Sequence, residues 1–428
     1  MPLARLDRQS AFRNPQYDAR VSLTTRVLIG LVAGFLLGLT LANGAIPGTA
    51  AILAIVAPVG TIFINLIRMT VIPLVASMLV ASVGSLASSG TLGRVAARAA
   101  LLALALVAVT AVSTVAIASP VLARIHIDHD AAMALRGPEG APAGGAAPTG
   151  TAALVQWLVD LVPPNVVKAA ADGAMLPVIV FSALFGVALS RVVPERREAV
   201  LRMTQGVADA MQRLVAAILE LAPIGVFALA VPLASRLGLA AAGAVIVYIV
   251  LVVTLTVLAV VLLLYPVGIL AGRMTPREFI AFCAPAQAVA FAARSSLAAL
   301  PAMIESAERA NMPPLVSRFV LPLAASVSRV GAAVAQPVGV LFLARLYGLA
   351  LSPAQLATVV FPVMLTTFAV GGIPGGSIIA MVPLLAAVNL PIEGIGILLA
   401  VDTIPDMFRT TANVTGSMTL AAVLRRQT

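Results

Sequence analysis

Apolar residues run through this chain in ten long blocks, at about 22–43, 51–88, 95–123, 151–191, 206–235, 239–271, 279–304, 313–347, 354–391 and 393–424. Blocks of this length and composition predict helices, and about 20 apolar residues suffice to cross a bilayer. Several blocks are longer than that, which predicts tilt, breaks, or segments that enter and return.

The polar interruptions carry more information than the blocks. In the last one, Asp402, Asp406, Arg409 and Asn413 are spaced by 4, 3 and 4 residues, which puts all four on one helix face. A charge at the centre of a membrane helix costs at least ~2.5–3.5 kcal/mol, so this stripe does not face lipid. It predicts a pathway or binding site for a charged solute.

Two other blocks break at their middles. Phe279–Glu308 breaks at Arg294-Ser295-Ser296, with Glu305, Glu308 and Arg309 near its end. Leu351–Asn389 breaks at Gly371-Gly372-Ile373-Pro374-Gly375-Gly376-Ser377. Each is either a kinked ordinary helix or a re-entrant hairpin. Non-helical backbone at membrane depth is tolerated only where it lines a cavity or is buried in protein. A Gly-rich tip with free N–H groups at half-helix ends suits a carboxylate. Both blocks precede a polar-interrupted helix, at Ser326–Gly331 and at Asp402–Asn413, which favours an inverted repeat.

Arginine placement sets the expected topology. Arg-rich ends occur at the N-terminus, at Arg94 and Arg98, at Arg191, Arg196, Arg197 and Arg202, at Arg273 and Arg277, and at Arg425 and Arg426. The intervening ends are poor in basic residues, so both termini are expected in the cytoplasm, with eight crossings and two re-entrant segments. The early arginines Arg5, Arg8, Arg13 and Arg20 before an apolar run resemble a cleaved signal, but more apolar spans follow at once, so the run reads as a retained first helix.

Composition agrees with the pattern. The chain of 428 residues is 61% hydrophobic and 10% charged with mean hydropathy +1.07, which marks a polytopic all-α membrane protein. Its net charge of +10 does not indicate nucleic acid, because aromatics are only 4% and no basic face forms. Cys283 is the single cysteine, which excludes an internal disulfide and a cysteine metal cage. His126 and His129 share a polar loop, read as solvated rather than as a zinc pair. No cofactor is expected.

At this point the sequence resembles the dicarboxylate/amino acid:cation symporter family, the glutamate transporters, as a divergent prokaryotic-type member. The resemblance rests on Arg68-Met69-Thr70-Val71-Ile72-Pro73, Ala222-Pro223-Ile224-Gly225-Val226-Phe227 and Arg294-Ser295-Ser296. Its strongest part runs from Leu390-Pro391-Ile392-Glu393-Gly394 through Asp406-Met407-Phe408-Arg409-Thr410 to Asn413-Val414-Thr415-Gly416. It implies eight membrane helices with two re-entrant hairpins, an elevator mechanism, a homotrimer in membrane lipid, and residence in the inner (plasma) membrane. The implied divisions are a leader (1–21), scaffold helices (22–94), a third transport-domain helix (95–124), an extracellular linker (125–150), further scaffold helices (151–237) and the transport domain (238–428). By the same resemblance Arg409 holds the substrate's side-chain carboxylate, Asp406 its amino group, and Asn413 with the Ser296 backbone its α-carboxylate. Thr410, Ile373 and Ser377 complete the pocket. Arg409 with Asp406 points to aspartate or glutamate, whereas the bland alternative is that the two merely neutralise each other.

The chain departs from the family where sodium binds. The Asn-Met-Asp-Gly-Thr break of sodium-coupled members reads Ser328-Arg329-Val330-Gly331-Ala332 here, and the sodium-binding Asp after Asn-Val-Thr-Gly is Ser417. Hard cations need oxygen ligands, and several are missing at once. Arg329, permanently charged, is a candidate for the place of a bound cation; alternatively it pairs with Asp402 and fills space. Asp402 and Asp406 against Arg294, Arg329 and Arg409 leave one positive charge, which an acidic amino acid would neutralise. The expectation is therefore a sodium-independent carrier of acidic amino acids. Proton coupling through Asp402, Asp406 or Glu305, a C4-dicarboxylate substrate, and a non-transporting binding protein are the alternatives. A membrane enzyme is disfavoured, because Ser295, Ser296 and Ser417 have no histidine near them in sequence.

Overall fold

The computed structural model describes residues 23–42, 48–87, 90–124, 159, 162–172, 174–237, 239–349, 351–366, 376–388, 390–392 and 394–425. The leader, the 125–150 segment with its two histidines, the 371–375 tip with Ile373, and Arg426 lie outside the described residues. Among the described residues the regular structure is helical, with no strand.

Helices α1 (Leu23–Ala42), α2 (Thr49–Ala87) and α3 (Gly90–Ala123) are long and apolar. A short α4 (Val166–Ala171) is capped by Asn165, whose Oδ1 accepts from the Val167 and Lys168 amides. Then come α5 (Met175–Leu189), α6 (Pro194–Glu220) and α7 (Ala222–Leu237), the last two meeting at a bend of 58°. Helix α8 (Leu239–Ala259) runs through a π turn at Val260–Leu264 into α9 (Tyr265–Leu270).

Helix α10 (Pro276–Ala293) has clear start and stop signals. The Thr275 hydroxyl accepts from the Glu278 amide at 3.3 Å, and the Glu278 carboxylate accepts from the Thr275 amide at 2.8 Å. Those bonds hold the exposed Glu278 carboxyl below its ordinary pKa. The helix stops at Arg294, whose φ of 52° is left-handed. A turn then leads back into α11 (Leu300–Arg309), which packs along α10.

The chain continues through a second π turn (Val316–Val320) into α12 (Leu321–Val327), α13 (Val330–Leu346) and α14 (Pro353–Thr366). After the tip come α15 (Gly376–Ile379), α16 (Val382–Ala387), α17 (Gly394–Val401) and α18 (Thr403–Leu424). Ser328 is extended and Arg329 is non-helical, which separates α12 from α13.

Five helical stretches among the described residues are long and apolar enough to cross a membrane, and the bent α6–α7 pair makes a sixth. Their outward faces carry Ile29, Ile55, Leu101 and Leu262, each more than half exposed. Such surfaces suit lipid and would aggregate in water.

The helices pack in two groups. Helix α1 lies along α7, and α2 packs against α5, α6 and α7. The second group surrounds α13 and α18, which touch each other, α3 and α8, while α18 also touches α12. Helix α13 is buried at every position but Arg345, as expected for a helix without a continuous polar face. Helix α17 reaches back to α1 and α7.

Candidate functional site

Helix α18 brings together the stripe of polar residues read from the sequence. Asp402, Asp406, Arg409 and Asn413 are all buried, with Arg409 wholly enclosed. The Arg409 guanidinium donates through both terminal nitrogens to the Asp402 carboxylate, the Nη2–Oδ2 bond being 2.9 Å. Nη2 also donates to Asp406 Oδ1 at 2.6 Å. Such fork-to-carboxylate bonds are among the strongest in proteins.

The cluster is incompletely satisfied. Asp406 Oδ2 and Arg409 Nε are buried and make no hydrogen bond. Two carboxylates share one guanidinium, so the cluster itself carries one negative charge. A buried acceptor left without a donor costs roughly 1–3 kcal/mol, more when charged, which makes Asp406 Oδ2 a place for an incoming cationic donor.

Asn413 joins this helix to the break before α13. Its Oδ1 accepts the Gly331 amide at 2.8 Å, satisfying one of the first N–H groups of α13. The side-chain amide of Asn413 thus keeps its donor end for another partner. Gly331 lies so close to α18 that a Cβ there would sit 2.6 Å from the Arg409 Cα. Ser328, Arg329, Val330 and Ala332 are buried around this start, with Val330 and Ala332 presenting hydrocarbon. Asp402 is held by Arg409 rather than by Arg329 in the ion pairs of the described residues.

The α10–α11 turn supplies Ser296, which is buried, and Arg294, which is half-buried and within electrostatic reach of Asp402. The Ser295 hydroxyl accepts the Ala298 amide at 3.3 Å and shapes the turn. Thr410 is buried next to Arg409, and Ser377 is half-buried at the start of α15. The Ser417 hydroxyl bonds back to the Asn413 carbonyl at 3.1 Å. Glu305 is not part of this assembly: it is exposed on α11 and pairs with Arg309 at 3.0 Å.

The model of the sodium:dicarboxylate symporter family matches residues 23–427. The chain belongs to that family. Members of the sodium:dicarboxylate symporter family are secondary transporters, so this is an integral membrane transporter and not an enzyme. The chain is 28% identical over 416 residues to the proton/glutamate-aspartate symporter of Escherichia coli, covering 96% of this chain and 93% of that one. It is 28% identical over 409 residues to the proton/sodium-glutamate symport protein of Bacillus caldotenax, covering 95% and 94%. An L-cystine uptake protein of Bacillus licheniformis is 28% identical over 325 residues, 73% of this chain and 70% of its own.

This symporter-family chain also uses polar residues that sequence reasoning passed over. Gln336, buried in α13, donates to the Ser377 carbonyl at 3.0 Å and accepts from the Thr366 hydroxyl at 3.2 Å. It ties α13 to both sides of the second broken segment. Gln287 in α10 donates to the Thr415 hydroxyl of α18 at 2.8 Å and meets Tyr265 of α9. Tyr248 of α8 lies wholly buried within electrostatic reach of Asp402 and Arg409 and packs its ring on Phe342. A lone amide or phenol inside a uniformly apolar block was the signal that could have found them.

Proposed function

We propose that this protein is a secondary transporter of acidic amino acids, aspartate or glutamate, that works without sodium. The observation that carries the reading is the buried cluster of Asp402, Asp406 and Arg409, with one Asp406 oxygen lacking a donor. Arg409 offers a planar donor for a carboxylate, and Asp406 offers an acceptor for an ammonium. A plain dicarboxylate has nothing to give Asp406, which places C4-dicarboxylates second. The substrates for which these relatives are named, glutamate and aspartate, support the same class.

In this reading the substrate's side-chain carboxylate takes the place of Asp402 on Arg409. Its amino group meets Asp406, and its α-carboxylate meets the Asn413 amide and the Ser296 backbone, with Thr410, Ser377 and Ile373 closing the pocket. Arg329 stands where a cation would otherwise balance the site, beside the hydrocarbon of Val330 and Ala332. The architecture proposed with it is eight crossings and two re-entrant hairpins, of which α10–α11 is the first, in a homotrimer of the inner membrane with both termini cytoplasmic. Residues 22–94 and 151–237 form the scaffold, and 95–124 with 238–428 the moving transport domain.

A second reading is favoured by the grip of Arg409 on Asp402. Once the substrate displaces it, a buried Asp402 carboxylate either turns to Arg294 or takes up a proton. The second course makes transport proton-coupled, the coupling named for the Escherichia coli relative.

The test is aspartate and glutamate binding to the purified protein in sodium-free buffer and again with saturating sodium. Equal affinities support the proposal. Binding that appears only with sodium sinks it, because other oxygens must then rebuild a cation site.

A further inference from the structure

Away from the charged cluster, at the other end of the same helices, lies a bowl of about 510 Å³. Four elements end there: the segment after α9 supplies Arg273, the first turns of α10 supply Glu278 and Phe282, the end of α11 supplies Ser306 and Arg309, and Arg425 follows α18. Three arginines face Glu278 across the bowl, and with Glu305 paired to Arg309 a surplus of one positive charge remains.

The arrangement is held in place. Arg425 Nη2 donates to the Arg273 carbonyl at 3.0 Å, which fixes the end of α18 against the loop after α9. Arg273 has a φ of 48°, a left-handed conformation that a non-glycine residue adopts at some cost. The Glu278 carboxylate is engaged by the Thr275 amide, and Arg309 by exposed Glu305, so neither carboxylate fills the bowl.

Ser306 supplies the independent sign of a ligand. Helical serines and threonines ordinarily bond back to a carbonyl one turn earlier. Ser77, Ser182, Thr411, Thr415 and Ser417 do so in this chain. Ser306 lines the bowl, is 4% exposed, and its hydroxyl makes no hydrogen bond.

We propose that this bowl binds a phosphate-bearing anion, which in the membrane is the headgroup of an anionic phospholipid. Phosphate oxygens accept from arginine forks and from a hydroxyl at once, and basic pockets between helices on the cytoplasmic side are suited to such headgroups. The lipid source rests on the cytoplasmic orientation proposed above, whereas binding of the anion does not. Along α18 and its cap, Arg409 and Arg425 lie 16 residues or about 24 Å apart, so the bowl is separate from the proposed substrate cluster.

The experiment titrates the purified full-length protein in neutral detergent with dioctanoyl phosphatidylglycerol, dioctanoyl phosphatidylcholine and inorganic phosphate, reading the thermal midpoint. Aspartate binding is measured on every variant as a check of folding. Saturable stabilisation by phosphatidylglycerol is expected, about tenfold weaker in Ser306→Ala and lost in the double variant Arg273→Gln, Arg425→Gln. Equal stabilisation by inorganic phosphate, with the same response to the variants, upholds the site and makes a free anion its ligand. Phosphatidylcholine acting as well as phosphatidylglycerol, or a response indifferent to Ser306→Ala and to the arginine pair, overturns the proposal. Loss of aspartate binding alone, with phosphatidylglycerol still bound, would count only against the transport reading.

Discussion

Arg409 makes three ion-pair hydrogen bonds within its own helix, so an incoming carboxylate must exchange with one that is already bound. Removing the partner of a buried charge costs about 3–5 kcal/mol, too much for Asp402 to be left bare. If it is protonated instead, uptake into proteoliposomes responds to an imposed pH gradient, and Asp402→Asn abolishes that response while aspartate exchange persists. Wild-type uptake indifferent to the gradient would mean that Arg294 receives Asp402, and transport is then uncoupled from protons. Arg329 is tested in parallel. Arg329→Met should weaken sodium-free aspartate binding at least about tenfold, and an unchanged affinity in titration calorimetry would strip Arg329 of its role. The sequence showed which residues share this face, because 4, 3 and 4 spacing is a property of any helix. It did not show that Arg409 would close on both carboxylates, since rotamers are chosen by the packing around them.

At the scale of elements, the break between α12 and α13 decides how closely α13 approaches α18. Alanine at position 331 would gain up to about 1 kcal/mol of helix propensity over glycine. Against that, its Cβ would meet backbone of α18 that cannot rotate away, and overpacking costs about 1–3 kcal/mol. The second effect wins: Gly331→Ala should lower the thermal midpoint in detergent. A rise would show that the two helices do not touch as described. The break itself was legible as Ser328-Arg329-Val330-Gly331 inside an apolar block, and so was the turn at Arg294. The outward position of Glu305 was not, because α11 is amphipathic and its Glu305–Arg309 pair belongs to the exposed face. Gln336 escaped notice for the opposite reason, since its partners Thr366 and Ser377 come from segments far along the chain.

For the whole molecule, the proposed elevator requires the α1, α2, α5–α7 group to stay still while the α13–α18 group moves. A contact across the boundary offers a direct check. A Cβ on Gly396 of α17 would run into the Leu229 side chain of α7. Paired substitutions Leu229→Cys and Gly396→Cys should therefore cross-link on mild oxidation, and Cys283, buried and single, stays out of the reaction. Cross-linked protein in proteoliposomes should lose uptake and keep aspartate binding. Full uptake after complete cross-linking would end the elevator account. The apolar blocks foretold the lipid-facing exterior, because length and composition alone set it. They could not foretell which blocks lean on which; the division into two groups was an expectation from the family resemblance, not from the blocks.

The two π turns have a consequence of their own. Where an i+5 bond replaces i+4, a helix carries one surplus residue, and everything beyond it is rotated by about 100° relative to an unbroken helix. The turn at Val260–Leu264 stands directly before Tyr265, which faces Gln287 and, through it, Thr415 on α18. Winding the same residues as plain α-helix would swing Tyr265 away from Gln287, whereas deleting one residue from the turn would heal the helix and leave Tyr265 where it is. The turn thus absorbs one extra amino acid while keeping Tyr265 on Gln287, which makes the winding of that segment, more than its length, the quantity that cannot change.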